Sequence, residues 1–308
     1  MTVRLPPFAP GQTIGLLGGT FDPPHLGHLG VARAARAALG LDTVLFAPVG
    51  TQPLKPQGTV AGFEDRLAMT RLAIAADPAF ALSLADAPNP SGAPNYTLET
   101  LVALRAQLPP GNTLFCLMGA DSFASFRRWH RAAEIPFVAP LIVASRPSES
   151  HWSLDNLDSA LPEGLTLETE GGGGFNPRIT PTEPPLALAP EGGGVVTSSE
   201  SQEASGHGFS RAAVATIGTG ALAPEVRFSE KEIPFRRYIL RNPAGDQAPF
   251  YLLPGLHIDI SASQIREQIR AQTRISAQSP PAAATRMPES TLLPAPVLDY
   301  IRAHNLYR

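Results

Sequence analysis

Short apolar runs alternate with longer segments of helical character along most of this chain. Five of these runs predict strands, at Thr13–Leu17, Thr43–Val49, Phe80–Ala85, Thr113–Met118 and Leu141–Ala144. Most of the runs are continuously apolar, which is typical of strands covered on both faces of a sheet. Four helices are predicted in the same part of the chain, at Gly27–Leu39, Phe63–Ala76, Thr97–Leu108 and Ser122–Arg131.

The order of these elements predicts an α/β fold. Strand–helix units that repeat with right-handed crossovers give a Rossmann-like, doubly wound parallel sheet. Further along, PFYLLPG and HIDI predict one or two more strands, and SASQIREQIRAQ and PAPVLDYIRAH predict helices. Ligands of such sheets bind at the carboxyl ends of the strands. The residues that directly follow strands are therefore the candidates for function.

One acidic segment, residues 147–235, interrupts this pattern. It holds 13 acidic and four basic residues, a balance of −9, whereas the remainder of the chain has a balance of +6. Glycine and proline make up 21 of its 89 residues, which leaves little apolar material to offset the entropy of ordering. We therefore expect a long low-complexity insertion, mostly disordered, between core parts at 1–146 and 236–308. A shorter spacer of similar composition lies at 277–290.

Composition excludes several classes of protein. Apolar residues make up 43% of the chain, and no run of about 18 apolar residues exists to span a membrane. The stretch MTVRLPPFAPGQ lacks the apolar core of a signal peptide, so we expect a cytoplasmic protein without a membrane partner. The single cysteine, Cys116, excludes an internal disulfide and a cysteine-based metal cluster. Its apolar surroundings favour an inert core thiol.

The stretch GGTFDPPHLGHL, residues 18–29, joins the first predicted strand to the first helix. Two glycines after a strand let the backbone approach a ligand, and the start of a helix offers unpaired amides. His25 and His28 lie three residues apart in the first turn and so point the same way. This context favours phosphate chemistry over the alternative, a proline-stiffened turn with capping histidines. A zinc site is less favoured, because no third ligand stands at a recognisable spacing.

Other polar residues follow predicted strands as well. The chain has only two lysines beside 22 arginines, and Lys55 lies after a strand, where a compact ammonium could meet phosphate. Ser261 or Ser263 can cap a helix that carries Arg266 near its first turn, which gives a second candidate anion site. Asp121 suits ribose hydroxyls, or it caps the next helix.

The GGTFDPPHLGHL stretch resembles the signature of the nucleotidylyltransferase superfamily, whose HxGH element is shared with class I aminoacyl-tRNA synthetases. Further blocks resemble bacterial nicotinate-nucleotide adenylyltransferases in order: PLKP at 53–56, FEDRLAM at 63–69, NYTLETL at 95–101, MGADSFASFRRW at 118–129, ISASQIR at 260–266 and LPAPVLDYIRAHNLY at 293–307. The resemblance covers nearly everything outside the two spacers. A synthetase is disfavoured, because the chain has no KMSKS-like loop and no evident tRNA-binding domain. No nucleic-acid partner is therefore expected.

This resemblance implies transfer of the adenylyl group of ATP to nicotinate mononucleotide, which yields nicotinate adenine dinucleotide and pyrophosphate in NAD synthesis. An in-line attack on the α-phosphorus needs positioning and charge stabilisation rather than a protein nucleophile. Mg²⁺ is expected to be held by the substrate, so no protein ligand is assigned. The alternatives are another acceptor, nicotinamide mononucleotide or phosphopantetheine, and an inactive nucleotide-binding regulatory protein. The NYTLETL block and the tail argue against phosphopantetheine.

The resemblance also implies roles for individual residues. His28, Thr20 and Lys55 would surround the reacting phosphates as catalytic residues. ATP would be bound by Gly18, Gly19, His25, His28, Asp121, Ser261 and Arg266. Nicotinate mononucleotide would be bound by Thr20, Phe21, Lys55, Tyr96, Thr97 and Trp129. The helix that opens at Tyr96 and Thr97 would receive the nicotinate carboxylate, and Trp129 would stack on the pyridine ring. The role of Asp22 stays open between the site and a brace for the turn.

Overall fold

The computed structural model describes residues 7–54, 58–145, 154–169, 235–253, 261–278 and 292–308. Their strands are β1 Thr13–Gly19, β2 Thr43–Pro48, β3 Phe80–Leu82, β4 Thr113–Gly119, β5 Leu141–Ala144, β6 Thr166–Thr169, β7 Arg236–Arg241 and β8 Gln247–Leu253. Their helices are α1 Leu26–Leu39, α2 Phe63–Ile74, α3 Thr97–Arg105, α4 Ala120–Ala124, α5 Ile135–Val138, α6 Leu154–Ala160, α7 Ala262–Gln278 and α8 Ala295–Ala303. Two 3₁₀ turns lie at Phe126–Arg128 and Ala132–Glu134.

All eight strands join one sheet, in the order β3-β2-β1-β4-β5-β8-β7-β6. The first five strands and β8 pair in parallel, and β7 and β6 add an antiparallel edge. The strand order reverses between β1 and β4, so the carboxyl ends of these two strands flank a crevice. The predicted α/β fold with a doubly wound sheet is confirmed.

Hydrophobic side chains fill a core on each face of the sheet. Neighbouring strand residues alternate between the two cores, as Leu16 and Leu17 of β1 do. Residues of α1, α2, α7 and α8 cover one face, and residues of α3, α5 and α6 cover the other. Gly40 ends α1 in the left-handed conformation, which glycine adopts readily. None of the helices within the described ranges is long and apolar enough to cross a membrane.

The predicted helix Ser122–Arg131 is wrong over most of its length. The helix α4 ends at Ala124, and a 3₁₀ turn at Phe126–Arg128 follows. The hydroxyl of Ser125 donates a hydrogen bond to the Ser122 carbonyl at 2.9 Å. Such local side-chain bonds compete with the helical ladder and shorten it. Periodicity alone could not reveal this competition.

The strand β3 is also shorter than predicted. It ends at Leu82, whereas the apolar pattern extends to Ala85. The Ala85 amide donates a hydrogen bond to the Ser83 hydroxyl at 3.2 Å, a local turn that takes the chain out of the sheet.

The structure corrects the predicted start of the insertion at residue 147. Residues 154–169 form α6 and β6, and β6 pairs with β7 in the main sheet. Leu157 and Leu165 bury their side chains in the core, which supplies the apolar area that ordering requires. Residues 170–234 lie outside the described part of the chain, so their interpretation as an insertion stays a prediction. The HIDI strand and most of the second spacer also lie outside it.

Candidate functional site

A cavity of about 910 Å³ opens where β1, β4 and β5 end. This volume lies within the ~300–1,000 Å³ typical of ligand pockets. All but two of the predicted site residues line it: Gly18, Gly19, Thr20, His25, His28, Tyr96, Thr97, Asp121, Trp129, Ser261 and Arg266. The fold therefore brings together residues that are as far apart in sequence as Gly18 and Arg266, because parallel strands deliver their carboxyl ends to the same edge.

The two histidines form a reciprocal cap at the start of α1. The His25 amide donates to Nδ1 of His28 at 3.2 Å, and the His28 amide donates to the His25 carbonyl at 2.9 Å. Their rings stack with centroids 3.7 Å apart. Because Nδ1 of His28 accepts a hydrogen bond, the neutral ring carries its proton on Nε2. His28 is thereby set up as a hydrogen-bond donor at a helix start, where phosphate is favoured.

Phe21 lies behind the histidines and is not part of the cavity wall. Its side chain is 1% exposed and meets the His28 ring edge-on at 4.9 Å. On the other side it packs against Phe46 at 5.8 Å. The core therefore encloses the Phe21 side chain, and the prediction that Phe21 binds nicotinate mononucleotide stays a prediction. A ring of this size stabilises the fold most when it is fully buried.

Arg266 of α7 is held rigidly at the cavity. Its Nη1 donates to the Asp22 carbonyl at 2.6 Å, and its Nη2 donates to the Ser263 hydroxyl at 3.1 Å. Ser261 directly precedes α7, and its carbonyl accepts the first helical bond from Ile265. These contacts place a fixed guanidinium and a helix start against the same turn that carries the histidines. These are the residues of the predicted second anion site, and their binding of an anion stays a prediction.

The carboxylate of Asp22 braces the turn. Its Oδ2 accepts a bond from the Val60 amide at 2.7 Å, and its Oδ1 accepts one from the Ala61 amide at 3.1 Å. The hydroxyl of Tyr307 also donates to Oδ1, at 2.7 Å. Asp22 is 4% exposed, so these donors replace water around a buried carboxylate. The question that the sequence leaves open is decided in favour of the brace.

A buried arginine supports the same turn from α2. Arg66 is 1% exposed, and its Nη1 donates to the Thr20 carbonyl at 2.7 Å. Its guanidinium also lies 5.4 Å from the Phe63 ring. Sequence reasoning did not identify Arg66, although it lies within the FEDRLAM block. The turn is thus fixed by arginines from two helices, which keeps its backbone in one conformation.

Aromatic and polar groups near α3 form another part of the cavity wall. Tyr96 caps α3, and its ring lies 4.4 Å from the His130 ring. The Trp129 indole N–H donates to the Ser125 hydroxyl at 3.4 Å, and its ring packs edge-on against Phe126 at 5.6 Å. These contacts hold the indole in place and leave it part-buried at the cavity. The arrangement suits an aromatic ring that carries a carboxylate near a helix start.

Asp86 is a cavity residue that sequence reasoning missed. It is 8% exposed, and the Thr100 hydroxyl donates to its Oδ1 at 2.8 Å. Burial raises the pKa of Asp86 to about 6, and the bond from Thr100 opposes part of that rise. Asn95 lies nearby and joins two loops, because its side chain bonds the Thr51 amide and the Ala87 carbonyl. No pattern along the chain marks Asp86, since its environment is created by the fold.

Lys55 lies outside the described residues, so its catalytic role stays a prediction. Leu54 and Gly58, on either side of the gap, line the cavity. Within the described residues no cluster of three or more histidine, cysteine, aspartate or glutamate side chains could hold a metal ion.

Comparison with known proteins links the chain to nucleotide-transferring enzymes. The family model described as cytidylyltransferase-like matches residues 16–268. A probable nicotinate-nucleotide adenylyltransferase of Roseiflexus sp. is 44% identical over 156 residues, which cover 50% of this chain and 76% of the relative. One of the same name from Trichlorobacter lovleyi is 47% identical over 137 residues, which cover 44% of this chain and 63% of that relative.

A solved structure shares the fold at low sequence identity. It is the nicotinic acid mononucleotide adenylyltransferase of Plasmodium falciparum, complexed with NaAD. The two chains are 12% identical with a TM-score of 0.50, and the alignment covers 96% of this chain and 97% of the other. At this identity the likeness concerns the arrangement of strands and helices alone.

Proposed function

The chain belongs to the cytidylyltransferase-like family and, within it, to the nicotinate-nucleotide adenylyltransferases, and on that premise we propose that it transfers the adenylyl group of ATP to nicotinate mononucleotide. The products are nicotinate adenine dinucleotide and pyrophosphate. One observation carries the proposal: a single cavity is lined both by His28 and Arg266 and by Tyr96 and Trp129. The first pair suits phosphates, and the second suits an aromatic acid.

His28 and the turn around it would act on the phosphates. An in-line displacement increases negative charge on the oxygens of the α-phosphate, and the Nε2–H of His28 is a donor for that charge. Arg266 adds a planar pair of donors that its bonds to Asp22 and Ser263 hold in place. We assign Thr20 and Lys55 to the same phosphates as expected from the family. The mononucleotide's own phosphate is the nucleophile, so no nucleophilic side chain is required.

The nicotinate end would be recognised at α3. Its first amides, after the cap at Tyr96, can receive the carboxylate of the pyridine ring at the positive end of the helix dipole. A carboxamide carries no charge, so it gains less from aligned donors. Trp129 would stack on the electron-poor ring. We therefore expect nicotinate mononucleotide to be preferred over nicotinamide mononucleotide.

Mg²⁺ is proposed to enter with ATP as part of the substrate. Both carboxylate oxygens of Asp22 already accept hydrogen bonds from the protein, so we assign no protein ligand to the ion. Phosphate oxygens and water can complete the coordination of Mg²⁺, which neutralises negative charge on the polyphosphate. The cytoplasmic location likewise stays a prediction.

The decisive experiment compares pyrophosphate release from MgATP with the two mononucleotides side by side. We expect release with nicotinate mononucleotide, a lower kcat/KM with nicotinamide mononucleotide, and none without an acceptor. A preference for the nicotinamide form would transfer the proposal to that acceptor. A folded protein that releases no pyrophosphate with either would refute the enzymatic function.

A further inference from the structure

The hydroxyl of Tyr307 reaches the turn of the phosphate site from a distant part of the chain. It donates to Asp22 Oδ1 at 2.7 Å across 285 positions of sequence, and the tyrosine is 4% exposed. Its backbone lies in the left-handed region, with φ of 63°, which a tyrosine rarely adopts. A conformation of this kind persists only where the surroundings impose it, and such positions concentrate around functional sites.

The segment 292–308 also contacts two helices next to the site. The Leu26 amide at the start of α1 donates to the Leu292 carbonyl at 2.9 Å. The hydroxyl of Tyr300 on α8 donates to Asp65 Oδ1 on α2 at 3.0 Å. The segment thus contacts both the helix that carries the histidines and the helix that carries Arg66.

The electrostatics around Asp22 give the tyrosine bond a specific consequence. Arg266 Nη1 donates to the Asp22 backbone carbonyl, yet it also lies 3.9 Å from Oδ2 of the same residue. A buried carboxylate that lacks a donor attracts the nearest cation more strongly. Burial and the bond to Asp22 raise the pKa of Tyr307, so its hydroxyl remains protonated and keeps donating. The Asp22 carboxylate therefore has the hydrogen-bond donors it needs, and it does not draw the Arg266 guanidinium away from the cavity.

We propose that Tyr307 is a positioning residue for phosphate binding: its hydroxyl occupies Asp22 Oδ1, which keeps the Arg266 guanidinium available to the phosphates of the nucleotide. The inference rests on the proposed function in one respect only, that ATP is bound at this cavity. It does not depend on the identity of the acceptor. Tyr307 is on this account a support of the nucleotide site, although it does not line the cavity.

The test compares Tyr307→Phe with Tyr300→Phe in the full chain. Both variants remove one hydroxyl that bonds a carboxylate, but only the first carboxylate lies beside Arg266. Binding of ATP and of adenosine is measured by titration calorimetry without any acceptor. We expect Tyr307→Phe to weaken the binding of ATP about tenfold, as loss of one well-placed hydrogen bond allows. The affinity for adenosine should stay within about twofold of the wild-type value. Tyr300→Phe should leave both ligands unchanged.

A second comparison separates positioning from general stability. Asp22→Asn removes the charge to which Tyr307 donates. Adding Tyr307→Phe to this variant should therefore weaken the binding of ATP far less than in the wild-type background. An equal loss of affinity for ATP and for adenosine would overturn the inference, and so would full additivity of the two substitutions. Either result indicates a general loss of packing. Unchanged ATP affinity in Tyr307→Phe would overturn it as well. A folded wild-type protein that does not bind ATP would refute the proposed function and the inference together.

Discussion

The backbone amide of His25 donates a hydrogen bond to Nδ1 of His28, at 3.2 Å. A backbone N–H is always a donor, so this contact identifies Nδ1 as an acceptor and assigns the ring proton to Nε2. The same contact caps α1 from the N3 position, as a glutamate does in a capping box. One side chain therefore both begins the helix and presents a donor at its positive end.

Replacement of His28 by alanine should separate these two roles. We expect kcat to fall by about 10² or more, because a donor to the developing charge is lost. The helix loses one cap, which costs about 1 kcal/mol and leaves the protein folded. Pyrophosphate release and thermal unfolding measure the two effects. His304→Ala, an exposed histidine stacked on Tyr300, is the matched control and should retain turnover. Near-normal turnover of the His28 variant would refute the phosphate assignment.

Two glycines of β1 should respond differently to alanine. A Cβ at Gly18 would meet no protein atom within 4 Å, and Gly18 lines the cavity. Gly18→Ala should therefore change the free energy of unfolding by less than about 0.5 kcal/mol but raise the KM for ATP about tenfold or more. A Cβ at Gly15 would lie 2.7 Å from the Leu117 side chain. Gly15→Ala should lower stability by about 1–3 kcal/mol and leave the KM unchanged.

This pair is checked by urea unfolding together with initial-rate kinetics on each variant. If Gly18→Ala bound ATP normally, the phosphates would have to lie away from the end of β1. If it unfolded as readily as Gly15→Ala, the space above Gly18 would not be open.

Asp86 should make stability depend on pH. Its pKa is about 6 in the folded protein against an ordinary value of 3.8, so the folded state binds the proton more tightly. The free energy of unfolding should therefore fall as pH rises from about 4 to about 6, by about 3 kcal/mol in total. Asp86→Asn removes this titration, and its stability relative to the wild type should increase by that amount across the window. Chemical denaturation at several pH values tests this, and parallel curves for the two proteins would contradict it.

Replacement of Trp129 should weaken the binding of the acceptor and leave the binding of ATP unchanged. Loss of a stacked ring costs about 1 kcal/mol of binding free energy, so Trp129→Ala should raise the KM for nicotinate mononucleotide by roughly fivefold. The KM for ATP should remain the same. Trp129→Phe retains an aromatic face and should recover most of the loss. An equal rise of both KM values would mean that the indole supports the cavity as a whole.

Cys116 should be unreactive in the native protein. The thiol is 3% exposed on β4, and burial raises its pKa to about 12, so almost no thiolate exists at neutral pH. Iodoacetamide should leave the native chain unmodified by mass spectrometry and alkylate it once after denaturation. Rapid alkylation of the native protein would show that β4 opens on the time scale of the reaction.

The sequence alone predicts the architecture well, because local patterns encode it. Continuous apolar runs between helical segments indicate a parallel sheet, and five predicted strands start at the observed residues. The role of the segment around His25 and His28 can be predicted for the same reason. Its glycines, helix start and three-residue spacing all lie within residues 18–28, so their geometry follows from neighbouring residues.

What only the tertiary structure decided depends on contacts between distant segments. In the sequence, Asp22 is equally suited to bind a ligand and to brace the turn. In the structure, the amides of residues 60 and 61 and the Tyr307 hydroxyl donate hydrogen bonds to its carboxylate. Phe21 belongs to the core because Phe46 and His28 enclose it, and Asp86 titrates near pH 6 because the fold buries it. Burial and hydrogen-bond partners are properties of packed neighbours, which a single sequence does not place.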